Sequence, residues 1–182
     1  FPGATLNYAE HMLHASDAVA VVVPGGRELT FNELGEAVAR TRAGLQALGV
    51  TRGDRVVAYL PNRPETLIAF LATASLGAIW ASVSPEFGAR SVIDRFAQIE
   101  PKVLLAVDGY RYNGKDFDRS ETVAGIHEEV GGELVTLGYL DGSGWQDGFL
   151  GDGELSFERV PFDHPLWVLY SSGTTGLPKA IV

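Results

Sequence analysis

The sequence contains no cysteine, one methionine and only three lysines among its 182 residues. Without cysteine there can be no disulfide staple, and any stability must come from packing. No apolar run approaches the roughly 20 residues that a membrane helix needs, and no basic-then-apolar leader opens the chain. The expectation is a soluble, cytoplasmic protein without a membrane span. Basic residues are also scarce: 14 against 23 acidic ones give a net charge of -9, so no broad positive face exists for a nucleic-acid backbone, and nucleic acid is excluded as a partner. What is present suits one compact domain with its own core, since 46% of residues are hydrophobic and 20% charged. The rarity of lysine draws attention to Lys115 and Lys179, both of which stand in polar, glycine-containing stretches.

Ala18 to Phe31 runs from Val19-Ala20-Val21-Val22-Val23 through Pro24-Gly25-Gly26 into Glu28-Leu29-Thr30-Phe31, a pattern that predicts a hairpin. Thr30 stands at capping-box spacing from Glu33, and Leu34, Val38, Leu45 and Leu48 share one helical face up to Gly49. After the Arg52-Gly53-Asp54 turn, Arg55 to Leu60 predicts a strand, and Asn62, Pro64 and Glu65 signal the start of a helix that Gly77 closes. Ile79 to Val83 predicts a strand. Ser91 to Ile99 predicts a helix with Val92, Phe96 and Ile99 on one stripe, Pro101 ends it, and Lys102 to Val107 predicts a buried strand. This alternation gives an α/β fold class, a mostly parallel sheet flanked by helices, because parallel neighbours need crossovers and helices supply them. There is no internal repeat. Asp141 to Glu154, rich in Gly and Asp around Trp145 and Phe149, predicts a mobile surface loop; its oxygens miss the alternate positions of a calcium loop.

Leu166-Trp167-Val168-Leu169-Tyr170 predicts a buried strand that delivers the polar run Ser171-Ser172-Gly173-Thr174-Thr175-Gly176-Leu177-Pro178-Lys179. Four hydroxyls, two glycines and one lysine suit a polyphosphate: unobstructed backbone N–H groups, hydroxyl donors and a compensating cation. Pro178 helps to fix the approach to Lys179. No Gly-Lys-Ser/Thr run is present, which excludes the ordinary P-loop. From the residues alone, a Gly/Ser/Thr-rich turn between two strands, with no ligand, stays open.

The whole string from Tyr170 to Lys179 closely resembles the nucleotide-binding signature of the adenylate-forming superfamily, which includes acyl-CoA synthetases, amino-acid-activating domains and luciferases. Three further stretches are similar to the acetoacetate:CoA ligase family: Phe1-Pro2-Gly3-Ala4-Thr5-Leu6-Asn7-Tyr8-Ala9-Glu10, Ser84-Pro85-Glu86-Phe87-Gly88, and Asp108-Gly109-Tyr110-Arg111-Tyr112-Asn113-Gly114-Lys115. The last of these, the Tyr110 to Lys115 loop, is the most discriminating. The resemblance implies that residues 1–182 are part of the large N-terminal, AMP-binding domain, incomplete and ending just after the phosphate-binding loop at 171–179. It further implies a two-step reaction: a carboxylate attacks the α-phosphate of ATP to give an acyl-adenylate and pyrophosphate, and the thiol of coenzyme A then displaces AMP. The partners are therefore small molecules, ATP with Mg2+, coenzyme A and a short acid. By matching positions, Ser171, Ser172, Gly173, Thr174, Thr175 and Gly176 would wrap the β- and γ-phosphates. Lys179 is the catalytic candidate, supplying charge to the departing pyrophosphate. Arg111 and Lys115 would meet the phosphates of coenzyme A, with solvated surface charges as the alternative. No residue is assigned to a metal.

The resemblance also implies that the adenine pocket, the acid pocket, the magnesium carboxylate and a C-terminal catalytic lysine come later than Val182, so these residues alone are expected not to turn over. A CoA ligase for acetate, propionate or butyrate, and a non-catalytic nucleotide-binding module, stay open beside the acetoacetate reading. His11 and His14 lack a third ligand and read as surface or packing groups. His164 belongs to the start of a strand, Ser171-Ser172 has no Gly-x-Ser-x-Gly elbow, and Trp80, Trp145 and Trp167 read as structural.

Overall fold

Apolar runs buried on both faces build the centre of the molecule. The computed structural model describes residues 1–23, 25–171 and 176–182. In chain order, β1 (Thr5–Leu6) and α1 (Tyr8–Met12) lead into the predicted hairpin of β2 (Val19–Val23) and β3 (Arg27–Thr30), followed by α2 (Phe31–Ala47). Then come β4 (Arg55–Tyr59), α3 (Pro64–Ser75), β5 (Ile79–Val83), α4 (Ala89–Phe96), which tightens into a 3₁₀ turn over Ala97–Ile99, and β6 (Val103–Val107). A second hairpin, β7 (Gly109–Tyr112) and β8 (Lys115–Asp118), precedes α5 (Ser120–Val130), β9 (Glu133–Gly138) and β10 (Gly144–Trp145). The short β11 (Val160–Pro161) pairs with β1, and β12 (Leu169–Ser171) pairs with β13 (Lys179–Ile181).

The main sheet has the order β10-β9-β6-β4-β5, parallel except for β10 at one edge. Alternate residues of each strand serve opposite faces. Val56, Ala58, Trp80, Val103 and Leu105 join the layer that includes Leu34, Val38 and Leu45 of α2 and Ile68, Ala69 and Leu71 of α3. Val57, Tyr59, Ala81, Leu104 and Ala106 join Phe96 of α4 and Ile126 of α5. Helices on both faces explain why these strands read as continuous apolar runs and not as alternating ones. After β5 the chain crosses to the far side of β4 to form β6. The carboxyl ends of β4 and β6 therefore flank a topological switch point, the place where open α/β sheets receive ligands.

Local signals act as expected at several element ends. The Thr30 hydroxyl accepts from the Glu33 N–H (3.2 Å) while the Glu33 carboxylate accepts from the Thr30 N–H (2.8 Å), completing the capping box. Pro64 occupies the first turn of α3, but the N-cap is Arg63, one residue past Asn62. Asn7 is buried; it caps α1 through the Ala9 N–H (2.9 Å) and donates to the carbonyls of Ala74 and Glu158 (both 2.8 Å), tying three distant segments together.

Two expectations are corrected. The segment 141–154 is not a free surface loop: Trp145 pairs with Leu137 in the sheet, Phe149 is buried against the Trp145 ring (centroids 5.2 Å apart), and the Gly151 N–H donates to the Arg40 carbonyl of α2 (3.2 Å). Its two aromatic rings recover enough apolar area to hold a Gly- and Asp-rich strap in place. Tyr110 to Lys115 is a β-hairpin and not a loop. Asn113 (φ 50°) and Gly114 (φ 74°) form its two-residue turn, in the left-handed conformations such turns demand.

Candidate functional site

The polar run of the phosphate-loop candidate is closed at its base by an antiparallel pair. Tyr170 faces Ala180 and Ser171 faces Lys179, so the first hydroxyl and the cation of the loop stand opposite one another although eight positions apart in sequence. Lys179 is exposed, and Gly176 adopts φ 122°. Ser172, Gly173, Thr174 and Thr175 lie outside the described residues. The preceding strand differs from expectation: Val168 is buried, but Trp167 and Leu169 are 45% and 56% exposed. The reason is its place beside the sheet edge. The Trp80 N–H of β5 donates to the Leu166 carbonyl (3.0 Å) and the Val168 N–H donates to the Trp80 carbonyl (2.7 Å), so Val168 turns inward while its neighbours line the open side.

The end of α4 holds both strands of this small hairpin. The Gln98 amide donates to the Pro178 carbonyl (2.9 Å) and its oxygen accepts from the Ala180 N–H (3.4 Å). The Arg95 guanidinium lies 6.0 Å from the Tyr170 ring centroid and 5.2 Å from that of Phe87. The Tyr170 hydroxyl is buried with no hydrogen-bond partner among the described residues. Burial pushes it up to about 12, against the opposing charge of Arg95, so it keeps its proton at neutral pH. Beside it opens a cavity of about 690 Å³ lined in part by Phe70, Trp80, Ser82, Phe87, Arg95 and Trp167. Neither Arg95 nor Gln98 is legible in the sequence, because Gln98 meets its partner across 80 residues and no local spacing announces such a contact.

The hairpin β7–β8 presents Arg111 and Lys115. Arg111 donates from Nε (2.6 Å) and Nη2 (3.0 Å) to the Asp116 carboxylate, and both side chains are about half exposed. Their hydrogen bond raises the guanidinium pKa and holds the carboxyl below the usual carboxylate range. Lys115 is exposed opposite Tyr112. Tyr110 stacks on Phe117 with centroids 5.0 Å apart. At the base of the hairpin, Arg119 donates to the Pro85 carbonyl (3.0 Å) and to the Tyr110 hydroxyl (3.1 Å). The single Tyr59 hydroxyl proton, at the carboxyl end of β4, faces the carbonyls of Pro85 (2.6 Å) and Phe87 (2.8 Å), and burial raises that phenol's pKa. The Ser84 to Gly88 turn thus lies between the two candidate elements, with Pro85 toward the hairpin and Phe87 toward Arg95. Among the described residues, no hydrogen bond or ion pair joins Arg111 or Lys115 directly to Ser171, Gly176 or Lys179.

Among the described residues, no group of three His, Asp or Glu side chains could hold a metal, and no helix is long and apolar enough to cross a membrane. His14 packs on the Phe31 ring (3.9 Å between centroids), and the His164 ring nitrogen lies 2.8 Å from the Gly77 carbonyl.

The AMP-binding enzyme family matches residues 9–182. An acetoacetyl-coenzyme A synthetase of Rhizobium meliloti is 42% identical over the whole chain, and the malonamoyl-CoA synthetase vrtB of Penicillium aethiopicum is 36% identical, also over the whole chain. The solved structure of acetoacetyl-CoA synthetase from Streptomyces lividans is 50% identical, with a TM-score of 0.89, over all of this chain and 30% of its own. The chain spans 31% of the length of the Rhizobium relative and 30% of the Penicillium one. With a mostly parallel sheet between helix layers and a family match over almost its entire length, the chain belongs to the AMP-binding enzymes.

Proposed function

We propose that the protein activates acetoacetate with ATP and passes the acyl group to coenzyme A. In the first step an acetoacetate carboxylate oxygen bonds to the α-phosphorus and the bond to the bridging oxygen breaks, releasing pyrophosphate. In the second, the thiol sulfur bonds to the acyl carbon, AMP leaves, and the thiol proton goes to solvent. Both steps bring anions together, so fixed donors and cations lower the barrier. Residues 1–182 would form the first part of the AMP-binding domain. Lys179 would face the leaving pyrophosphate, and Ser171 to Gly176 would surround the β- and γ-phosphates. Magnesium bound with ATP would neutralise part of the phosphate charge; none of the described residues is assigned to it. The observation that carries the reading is the pairing of Ser171 with Lys179, which sets a hydroxyl and a cation together at the base of the loop in a chain of this family. Assaying the full-length protein with ATP, coenzyme A and acetate, propionate, butyrate, malonamate or acetoacetate tests the substrate. The expected result is the highest kcat/KM for acetoacetate, and preference for malonamate would shift the reading toward the Penicillium relative.

Arg111 and Lys115 would bind the phosphates of coenzyme A. An exposed Arg–carboxylate pair is screened by water and contributes little by itself, so a phosphate can displace Asp116 at small cost. Arg111→Ala with Lys115→Ala is expected to raise the KM for coenzyme A about tenfold while leaving ATP–pyrophosphate exchange unchanged. Asp116→Asn, which removes the competing carboxylate, is expected to lower that KM by about two- to threefold. Unchanged KM values in both variants would leave these residues as surface charges.

A further inference from the structure

We infer that Gln98 is a positioning residue for Lys179: its carboxamide fastens the strand on either side of that lysine and so sets where the ammonium stands. The inference rests on the proposed contact of Lys179 with the nucleotide phosphates. In an extended strand, the C=O of one residue and the N–H of the residue two places on point to the same edge. At the start of β13 those groups are the carbonyl of Pro178, the residue just before the strand, and the Ala180 N–H, directly before and after Lys179, and Gln98 meets both, at 2.9 and 3.4 Å. β12 occupies the other edge. The primary amide, with one donor side and one acceptor, thus stands in for a neighbouring peptide unit.

The tie has a firm root. Gln98 sits in the 3₁₀ turn that ends α4, and its amide nitrogen also lies 2.5 Å from the Asp94 carbonyl, one turn back. Three residues before Gln98, Arg95 rests over Tyr170 on the strand that enters the loop. A single helix end therefore grips the strand leading in, through Arg95, and the strand leading out, through Gln98. A mobile lysine would lose the orientation that transition-state charge stabilisation needs, and small misplacements in such sites cost rate steeply. Glutamine is required and not glutamate. A carboxylate at position 98 could accept from Ala180 but would repel the Pro178 carbonyl and add negative charge near the phosphates.

The test uses the full-length protein and acid-dependent ATP–pyrophosphate exchange, with a double-mutant cycle. Gln98→Leu is expected to lower kcat of exchange about tenfold, Gln98→Glu by at least as much, and the KM for coenzyme A is expected to stay unchanged. Because Gln98 acts through Lys179, Gln98→Leu added to Lys179→Ala is expected to cause no further loss. Amide hydrogen exchange at Ala180 is expected to accelerate in Gln98→Leu while α4 keeps its protection. Wild-type exchange kinetics in Gln98→Leu, or the same tenfold loss with and without Lys179, would overturn the positioning role alone. Wild-type kinetics in Lys179→Ala would instead overturn the phosphate role of the loop, and this inference with it.

Discussion

Lys179→Ala in the full-length protein is expected to slow acid-dependent ATP–pyrophosphate exchange by about 10²- to 10³-fold, the usual cost of removing one preorganised group from a site of developing charge. The charge in question appears on the bridging oxygen as pyrophosphate leaves. The ammonium therefore gains more in the transition state than in the ground state, and the loss is expected in kcat more than in the KM for ATP. Lys179 is well placed for this. It is the first residue of β13, faces Ser171 across the ladder, and is exposed on the surface that would receive the nucleotide. Its two neighbours in sequence are tied to Gln98, so its backbone is not free to drift. Lys179→Arg keeps the charge but replaces a compact ammonium by a planar fork on a different reach, and is expected to recover only part of the rate. An alanine variant within about threefold of wild type would remove Lys179 from the group that stabilises the leaving pyrophosphate.

The elements legible in the sequence are those whose cause is local or periodic. β4, β5 and β6 carry runs that only a sheet covered on both faces tolerates, Pro64 marks a first helical turn, and Thr30 with Glu33 is a complete capping box. The phosphate-loop candidate was legible for a similar reason, since its hydroxyls, glycines and lysine are contiguous. Contacts that close over long sequence distances were not legible. Gln98 reaches Pro178, Arg119 reaches Pro85, and Asn7 reaches Glu158 through polar atoms that carry no periodic signature. The Asn113-Gly114 turn was a different case. Its dipeptide is a strong hairpin signal, but the flanking Tyr110 to Lys115 stretch alternates too weakly to stand out as two strands. Trp167 and Leu169 are exposed in a run that reads as buried, because an apolar run says nothing of whether one face of its strand will be covered.

The strap over α2 makes a single added methyl group costly. Gly44 lies in α2, where a glycine is ordinarily a weakness, and replacing it by alanine would by helix propensity alone gain about 1 kcal/mol. Here the sign reverses. A Cβ at Gly44 would fall on the Phe149 carbonyl oxygen, with the Phe149 carbonyl carbon and ring edge each 3.1 Å away. The oxygen belongs to backbone held by the buried Phe149 ring and by the Gly151 N–H bonded to Arg40, so it has nowhere to retreat without lifting the strap. Gly44→Ala is therefore expected to destabilise the chain by about 2 kcal/mol net, an overpacking cost at the upper end of the usual range less the propensity gain. Gly125 in α5 is the matched control: nothing lies within 4 Å of its Cβ position, and Gly125→Ala is expected to stabilise by about 0.5–1 kcal/mol. Urea unfolding midpoints of the two variants should move in opposite directions from wild type, with amide exchange at Gly151 faster only in Gly44→Ala. A midpoint for Gly44→Ala at or above wild type would mean that the 141–154 strap rides free of α2, and that its two aromatic rings do not anchor it.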